Sequence, residues 1–428
     1  MGHDGTLSGG GDAPADRYVV ISADGHAGGN VPDYRPYLES RWLGEFDEWA
    51  AGYEMPFDDL RGDLGARNWD SARRLRDLEA DGQVAEVIYP NTVPPFFPKS
   101  SLTAQPPAVT AADAERRWAG LQAHNRWLVD FCADAPGRRA GIIQITLHDI
   151  DASIAEIRWA KDAGLTGGVL LPGTPPGLGL PQLYERYYEP LWAVCEDLGF
   201  PVNHHTGSSA PPMGPEPEDA VVFLLETSWW SHRALTHLMV GGVFERHPDL
   251  QVVFTEQGTA WVPDELFKLD YFWDRMGTAV GSQEYVWGSP VVSKMSLKPS
   301  EYWARQCHVG ASFIRPAEVG LRHSVGVDRV MWGSDYPHKE ASTPYSAEAI
   351  RLSFAGVPRD EVQAMVGGNA AALYGFDLEA LRPLARRIGP LVAEVAEPLG
   401  PGLVPRDADT CPAFMGYEFA TDREGGEI

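Results

Sequence analysis

The chain has 428 residues, 44% of them hydrophobic and 22% charged, with a formal net charge of −25. That is enough apolar material for a large globular core, while the acidic balance excludes the basic patch that nucleic acid or an anionic membrane surface requires. Four scattered cysteines (Cys132, Cys195, Cys307, Cys411) with no Cys-x-x-Cys spacing, and no apolar run near the ~18–20 residues of a membrane span, point to a reduced cytoplasmic protein.

In chain order, residues 1–17 read as a disordered leader with no signal-peptide core. Tyr18 to Ser22 is a short buried strand, and Asp24 and His26 follow at its end. Residues two apart share a face of a strand, so this carboxylate and imidazole converge on one side. Residues 27–69 lack periodicity and read as an insertion over a barrel mouth. Asp70 is placed to cap a helix through Leu75 and Leu78. Val84–Tyr89 is a second strand, 90–109 a Pro-rich loop and 111–134 a long helix. Strands then alternate with helical segments: Arg139–Thr146, Gly167–Leu171, Phe200–His205, Leu250–Thr255, Cys307–Ala311 and Arg329–Gly333. Eight strands in this alternation predict an α/β fold, a distorted (β/α)8 TIM barrel over 18–376 with insertions at the mouth. A doubly wound open sheet is the alternative, but no Gly-x-Gly-x-x-Gly follows the first strand. Residues 377–428 read as a Pro/Gly-rich C-terminal extension that wraps the barrel or reaches a second subunit, so a homodimer is expected.

Four strand ends carry the chemistry. The first has Asp24 and His26; the fifth has Asn203-His204-His205-Thr206-Gly207; the sixth has Glu256; the eighth has Ser334-Asp335-Tyr336-Pro337-His338. Period-two alternation admits only one of His204 and His205 to the interior, and does not say which. Buried carboxylates need a cation or donors. A divalent metal supplies that charge, and imidazoles with carboxylates suit zinc, manganese or iron(II) better than calcium.

Five stretches in order resemble the amidohydrolase-related family, in the branch of the aminocarboxymuconate-semialdehyde decarboxylase type. They are Ile21–His26, Pro201–Gly207, Gly242–Leu250, Trp332–His338 and Asn369–Gly375. The resemblance implies metal ligands at Asp24, His26, His205 and Asp335, with Asp24 a shortened variant of the usual His or Glu. It implies general acid–base work for Asp335, with His338 beside it. The family's sixth-strand histidine is replaced by Glu256, which either shuttles a proton, binds the metal or accepts a hydrogen bond behind it. The fourth strand lacks the lysine of binuclear relatives, which implies one divalent metal, with zinc favoured over manganese or iron. Tyr89, Asn91, Trp230, Arg233 and Trp261 are candidate substrate contacts for a planar small molecule, and Arg275 is a further candidate for a carboxylate.

Two reactions fit these ligands. One is hydrolysis of an amide, lactam, ester or lactone by a metal-activated water. The other is non-oxidative decarboxylation of an aromatic or unsaturated acid. Glu256 in place of histidine inclines the reading to the hydrolase. A non-catalytic ligand-binding barrel is the third reading, and retention of His26, His205 and Asp335 together speaks against it.

Overall fold

The computed structural model describes residues 16–55, 60–98, 110–177, 179–211, 213–406, 408 and 410–415. Its strands are β1 (Ile21–Ala27), β2 (Ala85–Pro90), β3 (Arg139–Gly141), β4 (Ile143–Gln144), β5 (Val169–Leu170), β6 (Val202–His205), β7 (Val252–Thr255), β8 (Cys307–Ser312) and β9 (Val330–Gly333). Every pairing is parallel. β1-β2-β3 form one sheet and β4 through β9 the other, each in sequence order. Ile142 alone separates β3 from β4, and its amide donates to Ile88 O of β2 at 3.0 Å, so the expected third strand spans the junction between the sheets. At the other seam Asp335 N donates to Asp24 O (2.8 Å) and His26 N to Tyr336 O (2.7 Å). Eight strand positions therefore run around a distorted TIM barrel.

The alternation of side chains sorts the strands' apolar residues into two layers. Val20, Ile88, Val202, Phe254, Val309 and Trp332 pack outward against the helices. Ile21, Ala23, Val87, Tyr89, Val253 and Met331 pack inward. Such period-two sorting is what fills a small parallel barrel and leaves polar positions free only at the strand ends.

β1 differs from the expectation in a way that matters. It does not stop at Ser22 but continues through Asp24 and His26 to Ala27, with an irregularity of register between Ser22 and Gly25. A bulge re-aims the side chains beyond it, and the inward set changes here from Ile21 and Ala23 to Asp24 and His26. β9 accommodates this closely: a Cβ on Gly333 would lie 2.6 Å from Asp24 Cβ.

The helix Ser71–Ala80 starts on Asp70, whose side chain accepts from Arg73 N, and the helix Ile150–Asp162 starts on Asp149. The C-terminal segment is more regular than its Pro and Gly content suggests. Leu378–Ile388 is a helix whose Leu381 and Ala385 are buried against the inward cluster, an apolar spacing of one helical face. It then pairs with the start of the chain: Tyr18 N donates to Pro390 O at 3.0 Å, and Arg17 bridges Leu391. Residues 1–15 of the expected leader lie outside the described residues; Asp16 and Arg17 are held by this pairing. No helix among the described residues is long and apolar enough to cross a membrane.

Candidate metal centre

The ends of β1, β6, β7 and β9 bring Asp24, His26, His205, Glu256 and Asp335 together. His26 Nε2 lies 3.2 Å from Asp24 Oδ1 and 3.0 Å from Asp335 Oδ1. His205 Nε2 lies 3.5 Å from Asp24 Oδ1 and 3.1 Å from Glu256 Oε2. Donor atoms of Asp24, His26, His205 and Glu256 all fall within 4.8 Å of one another. Asp24 and Asp335 are fully buried, and Glu256 keeps 21% of its side chain open at the mouth.

Backbone geometry aims two of these carboxylates. Glu256 directly follows β7 and Asp335 lies two residues past β9, and they have left-handed φ values of 56° and 60°. Non-glycine residues occupy that region at a cost, which persists when surrounding structure requires the side chain in one place. Here the turn throws each carboxylate across the open end of the barrel.

The donors fit a metal because they are otherwise unsatisfied. Asp24 Oδ1, His26 Nε2, His205 Nε2 and both carboxylate oxygens of Asp335 are buried with no hydrogen-bond partner among the described residues. Natural interiors rarely leave such atoms unpaired without a functional reason. Burial disfavours charge on Asp24, His26, Asp335 and Glu256, yet close opposite charges outweigh it for the first three. His26 is held up at about 10 by Asp24 and Asp335 despite its burial. Asp24 is pushed far below the ordinary carboxylate range by His205 and His26, and Asp335 is lowered by His338 and His26. Glu256 goes the other way: burial and the charges of Asp335 and Asp24 raise it well above the ordinary value. Their surroundings thus bias Asp24 and Asp335 toward the charged form and Glu256 toward the neutral one.

Supporting contacts orient these groups. Ser312, at the end of β8, donates to Asp24 Oδ2. His338 Nε2 donates to Asn91 Oδ1 at 2.9 Å, and its Nδ1 lies 2.9 Å from Asp335 Oδ1. Asn91 in turn donates to Asn68 at 2.6 Å. His205 Nδ1 donates to Thr206 O at 3.1 Å, which turns Nε2 to the cluster. His204 points outward, between Leu171 O (3.1 Å) and Ser209 Oγ (2.9 Å), and burial lowers its pKa to about 4.

The expected substrate contacts are distributed differently. Asn91 is at the cluster, but both ends of its amide serve His338 and Asn68. Tyr89 lies under it: its ring is 4.8 Å from the His205 ring, and its hydroxyl bonds Thr255 (2.7 Å) in the barrel interior. Trp261 belongs to the outer layer, stacked on His232 at 3.9 Å and edge-on to Phe254, which itself faces away from the interior. Trp230 lines a cavity of about 110 Å³ with Met213, Val222 and Phe223, and Arg233 lies over the Trp230 ring at 4.7 Å. Arg275 pairs with Glu284 at 2.9 Å. None of Trp230, Arg233, Trp261 and Arg275 contacts the cluster among the described residues. The helices that carry them follow strands whose ends are in the site, and sequence proximity to a strand end overstated their reach. Two neighbours of the centre were not foreseen. Ser312 lies one residue past the expected end of its strand. Glu340 shares with Glu256 and Asp335 a set of oxygens within 4.8 Å, and only its five-residue spacing from Asp335 hints at it.

The amidohydrolase family model matches residues 71–376, which begins after β1. Among curated proteins, the gamma-resorcylate decarboxylase of Rhodococcus jostii (strain RHA1) is 26% identical over 295 residues, covering 64% of this chain and 83% of that protein. The 5-carboxyvanillate decarboxylase of Sphingomonas paucimobilis superposes with a TM-score of 0.61 at 19% identity, covering 84% of this chain and all of that one. The dihydroxybenzoic acid decarboxylase of Polaromonas sp. JS666, solved with bound manganese and the inhibitor 2-nitroresorcinol, superposes at 0.57 with 17% identity, covering 84% and 97% of the two chains. These relatives overturn the expectation of a hydrolase: each is a decarboxylase.

Proposed function

Because this chain belongs to the amidohydrolase family, we propose that it is a metal-dependent, non-oxidative decarboxylase of a small hydroxylated aromatic carboxylic acid. The observation that carries the reading is the set of orphaned buried donors on Asp24, His26, His205 and Asp335, converging at the strand ends. The decarboxylase relatives support the reaction, and their aromatic acids support the substrate class.

Asp24, His26, His205 and Asp335 would hold one divalent ion. Manganese is favoured by the Polaromonas relative; zinc and iron(II) suit the same donors. Bound there, the ion supplies a Lewis acid for the substrate's carboxylate and a neighbouring ring hydroxyl. The rest of the reaction belongs to the protein's own groups. The bond between ring carbon and carboxylate breaks, its electron pair stays on the ring carbon, and that carbon takes a proton as carbon dioxide leaves. Glu256 gives this proton. It alone of the three strand-end acids is open to the mouth, and its surroundings favour the protonated form. Solvent at the mouth returns the proton to Glu256 afterwards. His338, fixed by Asn91, holds Asp335 in place and balances its charge. Tyr89 packs against the His205 ring and fixes its tilt.

The test is direct. Protein loaded with manganese is incubated with a panel of hydroxybenzoates in deuterated water. The reading predicts carbon dioxide release and one deuterium in the product at the vacated carbon, both lost on chelation. Turnover of aryl amides or lactones with the hydroxybenzoates untouched would refute it.

A further inference from the structure

A chain of hydrogen bonds runs from the insertion 27–69 to the metal centre. Asn68, fully buried in that insertion, donates from Nδ2 to Gly65 O at 3.0 Å. Its Oδ1 accepts from Asn91 Nδ2 at 2.6 Å, and Asn91 Oδ1 accepts from His338 Nε2 at 2.9 Å. The far side of the His338 ring presents Nδ1 to Asp335 Oδ1 at 2.9 Å, and its face stacks on His26 with centroids 4.3 Å apart. One imidazole thus touches two of the four proposed metal ligands, and Asn68 stands two amides behind it.

A side-chain amide can turn end for end, so such a chain has a direction only if something fixes it. Gly65 O does so. A backbone carbonyl only accepts, and Asn68 must therefore show it Nδ2 and turn Oδ1 to Asn91. Asn91 answers with Nδ2 and turns Oδ1 to the ring, which has to bring a proton on Nε2. Reversing one amide or both sets two oxygens against each other, at the Asn68–Asn91 contact or at Gly65. The backbone that carries the chain is pinned on both sides. Fully buried Arg74 donates from Nη1 to Arg67 O (3.2 Å) and to His26 O (2.7 Å), and Asn91 N donates to Ala27 O (2.9 Å). Gly65 itself sits in a turn too close for a side chain, since a Cβ there would lie 2.6 Å from Leu60 O.

We propose that Asn68 is a positioning residue of the metal centre: through Asn91 it fixes the tilt of the His338 ring and keeps a proton on Nε2, so that Nδ1 is the nitrogen left for Asp335. Groups behind a metal's ligands set ring orientation and tautomer in this way. A ring that donates from both nitrogens is a cation, which is the form that bonds Asp335 and balances its charge. This role rests on the reading of the centre as a metal site, though not on the reaction performed there. A pair of asparagines that merely tied the insertion to the barrel would work in either direction, and its loss would show in stability alone.

The experiment is NMR of the full chain labelled with nitrogen-15 at histidine, recorded with the diamagnetic zinc ion bound and again without metal. His338→Gln identifies the ring's signals by their disappearance. The wild type should show a proton bonded to His338 Nε2 that exchanges slowly with solvent. Asn68→Ala unpins the Asn91 amide, and that exchange should quicken about tenfold. Asn91→Asp presents an oxygen whichever way it turns, so adding it to Asn68→Ala should return the exchange to near the wild-type rate. A wild-type ring with no proton on Nε2 overturns the proposal. So does Asn68→Ala with unchanged exchange, whatever happens to its melting transition. So does a quickening that Asn91→Asp leaves in place, because it then comes from a loosened fold and not from a turned amide. Should Asn68→Ala fail to fold, Asn68→Leu, which fills the same volume without an acceptor, is judged by the same rates. A chain that takes up no zinc would count against the proposed function alone, and the metal-free spectra would still decide the role of Asn68.

Discussion

Two clusters of buried charge sit one above the other in this barrel, and they differ in a single respect. At the mouth, Asp24, His26, His205 and Asp335 crowd together with their key atoms unpaired. Just outside the barrel wall, Glu86 of β2 lies between Arg74 and Arg139, equally buried. There the bonding is dense: Arg74 Nε donates to Glu86 Oε1 at 2.8 Å and Nη2 to Oε2 at 2.5 Å, and Nη1 reaches His26 O at 2.7 Å. Buried charge alone therefore does not mark a functional centre. One cluster is complete as protein and braces the backbone under His26. The other is incomplete as protein and calls for a cation. The distinction is legible only when each donor's partners are counted.

The comparison breaks if both clusters respond alike to mutation. The largest effect should follow His205→Ala, which abolishes stoichiometric metal binding, by elemental analysis, and with it turnover. Glu256→Gln should keep the metal and reduce kcat by about 10²–10⁴-fold, the span of a lost general acid; KM should move little. Glu86→Gln should instead destabilise the fold by about 3–5 kcal/mol in urea unfolding, because two buried guanidinium groups lose their partner. Asp335→Asn, in the metal-free protein, should cost less stability than Glu86→Gln, since Asp335 is faced by the imidazoles of His26 and His338 at 3.0 and 2.9 Å rather than by two guanidinium groups, and its Oδ2 has no hydrogen-bond partner among the described residues. If Asp335→Asn destabilises as much as Glu86→Gln, the mouth cluster is structural.

Acid should sharpen the same contrast. Burial opposes the charge on Glu86, but Arg74 and Arg139 outweigh it and hold its pKa below the ordinary value. A carboxyl lowered by folding stabilises fully above its unfolded pKa, roughly 4.3, and that stability is lost as pH falls through the folded value. The wild type should therefore weaken steeply on the acid side of pH 4, and Glu86→Gln should show a flatter acid limb. Ser312→Ala is the smallest change: freeing Asp24 Oδ2 from its hydroxyl donor should weaken metal affinity by about tenfold, the lower end for a lost orienting partner.

Much of this architecture was legible from residue order. Each of the eight expected strands has its counterpart, because β-branched runs bounded by Gly and Asp need little tertiary help. His26, His205 and Asp335 were found at strand ends by motif, and the structure brings them together. Alternation could not choose between His204 and His205; the outward packing of Val202 beside Phe200 settles it, since His204 shares their face. The path of β1 was not legible, because a bulge depends on the partner strand's register rather than on local composition. For Tyr89 and Asn91 the protein partners of the polar atoms were not legible for a related reason. Their strand marks them as near the centre, but only the partners of their polar atoms show that both face protein. The helix Leu378–Ile388 was hidden by the Pro and Gly around it.

The central claim is that the orphaned mouth cluster holds one divalent metal and uses it to remove carbon dioxide from a hydroxylated aromatic acid. Its most direct measurement is the carbon dioxide released from 2,6-dihydroxybenzoate by the manganese-loaded wild type and by His205→Ala under the same conditions. The account predicts one carbon dioxide per substrate consumed with the wild type and none with the variant. Equal release by both proteins would contradict it, as would a wild type that binds manganese at this centre and leaves every hydroxybenzoate intact.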